Sequence, residues 1–329
     1  MPSSAGPPDV DPPSRSLAVT DSAQSQRPPV NPAAAPSGNR DIDILMITHR
    51  RPRYARQSLQ NLLDQCDDTM RVWIWHNGDN EETLAVAKEL SEHPRCHKFH
   101  HSPVNEKLRA PTNWIWENFE GAYVCKVDDD CLLEDGWAQK LRDAHEANPE
   151  LGVIGCWRFQ DEDFVPELAA KKTRDLSGGH RMLVNCWVQG SGYLMKRKCV
   201  QEQGLLSVED PCFTKYCNQL AERGYVNGFY FPFLREDHMD DPRSPNTLLK
   251  RDEDMAEHAP LSALRDGVTS LDVWLKRVRW NAYMVQAAPT NPKWLRGWRL
   301  RLRMAGSKVR RLLGAERGPG ANPQFKAGA

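Results

Sequence analysis

Three consecutive aspartates, Asp128, Asp129 and Asp130, directly follow a mostly apolar run at residues 122–127. Carboxylates this close repel one another unless a cation neutralises them, and hard oxygen ligands at alternate positions suit Mg²⁺ or Mn²⁺. A metal bound to Asp128 and Asp130 can bridge nucleotide phosphates and stabilise the charge on a departing diphosphate. An acidic, solvated turn is the alternative interpretation, which the apolar run before the triplet disfavours. The triplet therefore predicts a divalent metal site that acts on a nucleotide diphosphate.

A glycine-rich loop and a late histidine are weaker candidates. Gly190 and Gly192 flank Ser191, and such glycines let a backbone approach a ligand closely, although they more often form plain turns. His238 follows the last predicted strand and offers a ring nitrogen to a metal. A lone histidine is more often a surface or core residue, so His238 is a ligand candidate only in company with the aspartates.

A pair of acids, Glu209 and Asp210, directly precedes Pro211, where a helix is predicted to start. A carboxylate at the N-cap, followed by proline at the first helical position, is a sufficient structural reason for Asp210. The same carboxylate can act as the general base that removes the proton of an attacking sugar hydroxyl. The two roles do not exclude each other. A second acid pair, Glu236 and Asp237, leaves Asp237 as an alternative base.

The elements that must position these residues alternate between strand and helix. Short apolar runs predict buried parallel strands, and apolar residues at i, i+3, i+4 and i+7 predict helices, an order typical of an α/β fold with crossover helices. Ligands of such sheets lie beyond the carboxyl ends of the strands, where polar residues follow at 48–51, 76–79 and 128–130. The polar stretch 160–180 is predicted to be a mobile insertion. The predicted strands are 42–47, 72–75, 98–99, 122–127, 153–157, 182–184, 193–195 and 225–234, and the predicted helices are 59–66, 81–92, a segment after 111, and 211–222.

Taken in order, these motifs resemble the nucleotide-sugar glycosyltransferases of the GT-A fold, particularly family 2, over about residues 41–240. The resemblance implies a Rossmann-like, mostly parallel central sheet flanked by helices. The Asp-x-Asp motif that binds the metal in that family is matched by Asp128 and Asp130, and its late metal-binding histidine by His238. The glycine-rich loop near donor and acceptor is matched by Gly190, Ser191 and Gly192. The acid pair that supplies the base is matched by Glu209 and Asp210, which favours Asp210 over Asp237.

The donor-binding side departs from the family pattern. The loop after the first strand matches the family only in Thr48 and Arg51, and His76-Asn77-Gly78-Asp79 replaces an acidic motif after the second strand. A polar loop near the nucleotide contains two cations, either of which is a candidate to face the diphosphate. The resemblance thus implies these donor-binding residues: Thr48, Arg51, Asn77, Asp79, Lys107, Arg109, Asp128 and Asp129.

The function implied is that of a metal-dependent inverting glycosyltransferase, with Mn²⁺ or Mg²⁺ as cofactor. It would move a sugar from a nucleotide-diphosphate sugar to the hydroxyl of a glycan, glycolipid or other acceptor. Two alternatives stay open. One is a nucleotidyltransferase of related fold, which the absence of glycine between Thr48 and Pro52 disfavours. The other is a catalytically inactive GT-A-like binding protein. Acceptor choice is expected to reside in residues 160–185 and in the C-terminal tail.

The overall charge of zero, from 44 basic and 44 acidic residues, conceals an uneven distribution. Residues 293–329 contain ten Lys or Arg and one Glu, a net charge of +9, so residues 1–292 carry −9. Tryptophans and leucines alternate with arginines at 293–311, a composition typical of a helix at an anionic membrane surface. A helix docked on the acidic body is the alternative. Binding to nucleic acid is less favoured, and the neutral total excludes a uniformly basic protein.

The cellular location and the domain boundaries are predicted from composition. No run of eighteen apolar residues is present, the N-terminus lacks the pattern of a signal peptide, and the nine cysteines form no CxxC pair. We therefore expect reduced thiols in a cytoplasmic protein, which a membrane-binding tail would make peripheral on the inner face of the cell membrane. The expected segments are a disordered Pro/Ser/Ala-rich 1–39, a GT-A domain at 40–245 (nucleotide half 40–130, acceptor half 131–245), a helical extension at 246–290 and a basic tail at 291–329.

Overall fold

The structure, a computed structural model, describes residues 41–312, with side chains up to residue 306. The predicted disordered segment 1–39 and the end of the tail lie outside the described residues. The strands are β1 (Ile42–Thr48), β2 (Met70–Asn77), β3 (Cys96–Ser102), β4 (Tyr123–Asp128), β5 (Cys131–Leu133), β6 (Leu151–Gly155), β7 (Thr173–Asp175), β8 (Arg181–Asn185), β9 (Tyr193–Lys196), β10 (Val226–Tyr230) and β11 (Glu236–His238).

Helices connect and flank these strands. Short 3₁₀ turns occur at Asp161–Asp163, Ser177–Gly179, Asp252–Asp254 and Pro292–Leu295. Among residues 41–312 we find no helix with the length and apolarity needed to cross a bilayer. The α-helices are α1 (Pro52–Gln65), α2 (Glu81–Ser91), α3 (Arg109–Asn118), α4 (Trp137–Ala147), α5 (Pro166–Ala169), α6 (Arg197–Gln203), α7 (Phe213–Glu222), α8 (Met255–His258), α9 (Leu261–Arg265), α10 (Leu271–Ala287) and α11 (Gly297–Leu312).

One nine-stranded sheet forms the centre of the fold, in the order β3-β2-β1-β4-β9-β6-β10-β8-β7. Seven of its strands run in the same direction, and β8 and β9 run opposite to them. Antiparallel β5 and β11 form a small second sheet. The predicted α/β class with a mostly parallel central sheet is therefore confirmed.

The centre of the sheet brings three strand ends together. All seven residues of β1 are buried, and β1 pairs in parallel with β2 on one side and with β4 on the other. Thr48 is opposite His76, and Ile47 is opposite Asp128. The polar residues after these strands therefore lie at one edge of the sheet, as the strand-end rule predicted.

Three local predictions differ from the structure. Helix α7 begins at Phe213 with Cys212 as its N-cap, so Asp210 does not cap it. The expected mobile insertion at 160–180 contains short elements and packs on α10, where the Val165 amide donates to Gln286 Oε1 at 2.7 Å. The strand predicted at 225–234 ends earlier, since β10 stops at Tyr230, and the polar segment up to His238 forms a separate short strand, β11, that pairs with β5.

The fully buried Asp43 joins β1 to its neighbours. Its carboxylate accepts hydrogen bonds from Arg71 Nη2 at 2.6 Å, from Trp73 Nε1 at 2.7 Å and from the Gly121 amide at 2.8 Å. Asp43→Ala should lower the free energy of unfolding by about 3–5 kcal/mol, because the buried guanidinium of Arg71 loses its main counter-ion. Urea denaturation measures this loss.

The matched control for that variant is Glu89→Ala, which removes an exposed ion pair with Arg56. We expect a much smaller loss of unfolding free energy there, because the charges of an exposed ion pair are hydrated whether or not the pair forms. Equal losses in the two variants would contradict the role given to Asp43.

The helices after residue 246 join the same core as the sheet. Trp274, Val278, Ala282 and Val285 of α10 are buried in the cluster that also contains Trp157 and Phe229. The Trp274 indole donates to the Asp240 carbonyl at 2.7 Å, which fixes α10 beside the segment that follows β11. Helix α10 is therefore placed to form a wall of any site at this edge.

Candidate active site

A cavity of about 390 Å³ lies at the carboxyl ends of the central strands. Its floor contains the aspartate triplet and His238, and one side is formed by the loops after β1, β2 and β3. The opposite side contains Arg158 and Phe159, and α10 contributes Trp274 and Val278. A site of this size can enclose a nucleotide-sized ligand.

Arg51 occupies the centre of a buried acid cluster. Its guanidinium lies 2.6 Å from Asp240 Oδ1, 2.8 Å from Asp130 Oδ2 and 3.4 Å from Asp129 Oδ1. Its backbone has the left-handed conformation, with φ of 47°, which is strained for a residue with a side chain. Arg51, which the sequence assigned to donor binding, lines the cavity and neutralises the acid cluster in its floor.

The three acids of the cluster differ in ionisation. Burial raises the pKa of Asp129 to about 7 and raises the pKa of Asp240 well above its ordinary value. Burial also acts to raise the pKa of Asp130, but the charge of Arg51 and the hydrogen bonds from Asp240 and Arg51 outweigh it and hold that pKa below the usual range. Asp130 is therefore the carboxylate of this cluster that stays ionised and able to bind a cation.

Asp130 and His238 present a donor set that fits a divalent metal. Asp130 uses Oδ2 for Arg51, and its Oδ1 lies 3.9 Å from His238 Nε2. Burial, and next the charge of Arg158, lower the pKa of His238, which favours the neutral ring that metals bind. Cys131 adds a sulfur 3.3 Å from Asp130 Oδ1, a softer ligand than Mn²⁺ or Mg²⁺ prefers. Asp128 lines the same cavity, but Lys126 Nζ contacts its carboxylate.

On the nucleotide side, Asn77 organises a loop. Its amide group donates to Asn105 Oδ1 and to the Lys107 carbonyl, at 3.0 and 2.9 Å, and accepts from the Glu106 amide at 2.8 Å. His49 bonds the Asn77 carbonyl through Nδ1, and its own amide donates to Asp129 Oδ2 at 2.9 Å. Asn77 thus shapes the wall of the cavity, and the exposed Lys107 projects from the loop that Asn77 holds.

Three other donor-binding candidates do not line this cavity. Thr48 is fully buried, and its hydroxyl is 3.0 Å from His76 Nδ1. Asp79 is exposed beyond the end of β2. Arg109 is the first residue of α3, whereas Lys107 from the same loop does line the cavity. Of the two cations between which the sequence left a choice, Lys107 is therefore the better placed.

The glycine loop supports the metal site from behind. Ser191 is buried, and its hydroxyl accepts a hydrogen bond from the Asp128 amide at 3.0 Å. The Gly192 amide donates to the Lys126 carbonyl at 2.9 Å. Gly192 has a φ of 58°, and a Cβ there would lie 2.6 Å from Glu236 Oε2. A Cβ added at Gly190 would have no other atom within 4 Å. The loop thus positions the strand end that carries the aspartates, and only Gly192 is sterically required.

Gly192→Ala should destabilise the protein more than Gly136→Ala does. Both glycines have positive φ, and alanine in that conformation costs about 1–2 kcal/mol. A Cβ at Gly136 meets open space, whereas one at Gly192 meets the buried Glu236. We expect an extra loss of about 1–3 kcal/mol at Gly192 in urea denaturation, from overpacking. An equal loss in both variants would show that the Glu236 side chain moves aside, and would contradict the steric requirement for Gly192.

The candidate bases lie in different surroundings. Glu209 and Asp210 are exposed in the loop before α7, and Lys215 Nζ contacts the Asp210 carboxylate. Neither acid lines the cavity. Asp237 Oδ2 accepts hydrogen bonds from Ser244 Oγ at 2.9 Å and from Asn246 Nδ2 at 2.8 Å. Asp237 is therefore bound by its own loop, whereas Asp210 is held only by a surface lysine.

Several residues of the cavity had no signal in the sequence. Asp240, His49 and Arg158 match no motif, and the far wall comes from residues 260–281. The expected acceptor segments, 160–185 and the described part of the tail, contribute no residue to this cavity.

Residues 43–200 match the family model described as glycosyl transferase family 2. These residues form a glycosyltransferase domain that is similar to family 2. A curated relative from Haemophilus influenzae, described as an uncharacterized glycosyltransferase, is 18% identical over 116 residues. That match covers 35% of this chain and 36% of the relative, so the chain spans about a third of the length of the curated relative it matches.

Solved structures show the fold of the family 2 domain. The mannosyltransferase PcManGT from Pyrobaculum calidifontis, in complex with GDP-Man and Mn²⁺, is similar over 86% of this chain and 84% of its own, with 14% identity and a TM-score of 0.50. TarS from S. aureus is similar over 84% of this chain and 54% of its own, with 15% identity and a TM-score of 0.46. The likeness to PcManGT confirms the GT-A fold.

Proposed function

We propose that this protein is a metal-dependent inverting glycosyltransferase that moves a sugar from a nucleotide-diphosphate sugar to an acceptor hydroxyl. One observation carries the proposal: Asp130 Oδ1 and His238 Nε2 lie 3.9 Å apart in a cavity that is lined in part by residues of the segment similar to family 2. The ionised Asp130 oxygen and the neutral ring of His238 would hold Mn²⁺ or Mg²⁺ there. Bound in this place, the metal would supply electrostatic stabilisation of the departing diphosphate.

The remaining residues of the cavity bind and orient the donor. The loop that Asn77 holds contains Lys107, whose charge suits the diphosphate oxygens. Arg51 keeps the acids of the floor in place, so that Asp130 points one oxygen at His238. Asp128, the other aspartate of the predicted metal motif, lines the same floor next to Lys126 and would be a further ligand of that metal.

Asp210 remains the proposed base for the acceptor hydroxyl. Its support is the resemblance to family 2 and the weakness of its restraint, a single exposed lysine. For this role the exposed loop at 204–212 has to bring Asp210 to the cavity. A single base opposite the leaving group is the arrangement of a one-step displacement, which inverts the anomeric carbon.

Release of the nucleoside diphosphate tests this function against its two rivals. The protein is incubated with Mn²⁺ and a panel of UDP-, GDP-, ADP- and dTDP-sugars, and products are separated by ion-exchange chromatography. A glycosyltransferase releases nucleoside diphosphate, by transfer or by slow hydrolysis. A nucleotidyltransferase, given a nucleoside triphosphate and a sugar phosphate, releases pyrophosphate instead. A binding protein shifts its melting temperature with the nucleotide but releases neither product, and that outcome would overturn the proposal.

We further propose that the tail attaches the enzyme to an anionic membrane at the cytoplasmic face. Five cations and no acid lie between residues 293 and 306. Trp298 and Leu302, four residues apart on α11, are 65% and 55% exposed, so they share one uncovered face. Arg296 pairs with Glu222 of α7, which anchors only the start of the helix. An apolar face beside cations fits an anionic lipid surface.

Trp298→Glu should weaken binding to vesicles of phosphatidylserine and phosphatidylcholine by at least about 10-fold, because an inserted ring is replaced by a charge that the lipid repels. Co-sedimentation measures it, with pure phosphatidylcholine as the neutral reference. Met284→Glu is the control, since it places the same charge at an exposed apolar position of α10. Equal losses in both variants, or binding to RNA but not to vesicles, would contradict the membrane proposal.

A further inference from the structure

Arg158 is a cation of the cavity that the proposed function does not use. It is half-buried, and it makes no ion pair or hydrogen bond with the residues that the structure describes. Its close contact is with the ring of Phe159, at 5.5 Å. The four carboxylates that line the cavity contact other cations: Lys126 contacts Asp128, and Arg51 contacts the other three. The charge of Arg158 acts on the buried Glu236 and on His238, without an ion pair to either among the described residues. The hydrogen-bond donors of Arg158 are therefore available to a ligand.

The backbone holds Arg158 firmly. The Trp157 amide donates to the Leu234 carbonyl at 2.8 Å, and the Glu236 amide donates to the Trp157 carbonyl at 3.0 Å. The indole of Trp157 is fully buried and stacks on Phe233 at 4.3 Å between centroids. A charged group on an anchored backbone binds its partner at little entropic cost.

The strand order gives the direction in which Arg158 lies. The nucleotide-side loops follow β1, β2 and β3, and the aspartate triplet follows β4. Arg158 follows β6, which β9 separates from β4. Neighbouring strands are about 4.8 Å apart, so β6 lies about 10 Å from β4 on the side away from the nucleotide loops. Beyond the diphosphate, that side is where the transferred sugar and the acceptor would meet.

We propose that Arg158 binds an anionic group, a carboxylate or a phosphate, on the sugar or the acceptor. The guanidinium presents a planar fork of donors that matches such oxyanions with two parallel hydrogen bonds. This inference rests on the proposed function for its direction along the cavity, and it defines the substrate class: one of the two molecules joined carries a negative charge near the reacting centre.

Titration with inorganic phosphate in EDTA, by isothermal calorimetry, tests the site without metal or transfer. The Arg158→Gln variant should bind phosphate about 10- to 100-fold more weakly than the wild type, the loss typical of a charge-assisted pair. Arg174→Gln, an exposed arginine paired with Glu150 outside the cavity, should change the affinity less than about twofold. Wild-type affinity in Arg158→Gln, or an equal loss in Arg174→Gln, would overturn the assignment.

Two pairs of ligands then distinguish the sources of the anion. Glucose 6-phosphate against glucose represents a charged acceptor, and UDP-glucuronate against UDP-glucose represents a charged donor sugar. If the wild type binds the charged member of a pair more tightly and Arg158→Gln does not, that pair identifies which molecule, acceptor or donor sugar, carries the anion. If neither pair shows such a preference, the site takes only free anions, and the inferred substrate class is wrong. Because every readout is binding, these results stand apart from the transfer assay and decide the inference even where no sugar is moved.

Discussion

Asp130→Asn should lower sugar transfer by about 10³-fold, because the cavity loses its one firmly ionised metal ligand. An amide oxygen can still accept a hydrogen bond from Arg51, so the variant should fold. Release of nucleoside diphosphate with Mn²⁺ measures the loss. The rise of melting temperature with added Mn²⁺ that we expect of the wild type should also disappear. The second readout separates a lost metal from a lost fold.

The control for this variant is Asp64→Asn, an exposed aspartate of α1 that accepts a hydrogen bond from Gln60. It should leave both transfer and the response to Mn²⁺ unchanged. Full transfer by Asp130→Asn would show that Asp130 does not hold the metal, and the assignment of His238 would fail with it, since the two were chosen as a pair.

Asp210→Asn should lower kcat by about 10²- to 10⁴-fold, the contribution expected of a general base. The Mn²⁺-dependent shift in melting temperature and the affinity for the donor should be unchanged, because Asp210 lies outside the cavity that binds them. Steady-state transfer to a saturating acceptor measures kcat. ¹H NMR of the anomeric proton in the product shows whether the wild type inverts.

Asp237→Asn separates the two candidate bases. Its carboxylate is held by Ser244 and Asn246, so this substitution should lower stability more than catalysis. If Asp237→Asn abolishes transfer in a folded protein while Asp210→Asn does not, Asp237 is the base and the family pattern misled us. Retention of configuration in the product would exclude both acids as the base of a single displacement.

Local pattern was sufficient for the fold because the sheet is built from buried parallel strands. The apolar runs at β1, β2 and β4 leave few alternatives to a central sheet with helices on its faces. The ends of those strands then meet at one edge by topology alone. This is why the proximity of the loop after β1 to the aspartate triplet was predictable.

Local pattern was misleading where a residue had two explanations. Asp210 and Pro211 have the sequence of a helix start, but α7 begins at Phe213, because the helix follows its packed face of Tyr216, Cys217 and Leu220 rather than its capping signal. The stretch at 160–180 has few apolar residues, yet Lys172 reaches the carbonyls of α10 and fixes it. Polar anchoring of this kind has no periodicity that a sequence can show.

The sequence indicated a glycosyltransferase domain similar to family 2, its central sheet and the strand ends at which a metal and a nucleotide would bind, because these follow from periodicity and from motif order along one chain. Only the tertiary structure showed that Arg51 contacts Asp130 and Asp240 and that Asn77 holds the neighbouring loop. It also showed that α10 forms the far wall and that Arg158 lines the cavity without an ion pair among the described residues. Arg51 and Asp240 are 189 residues apart. Which charges meet over such separations depends on distances in space, and those arise only when the core has packed.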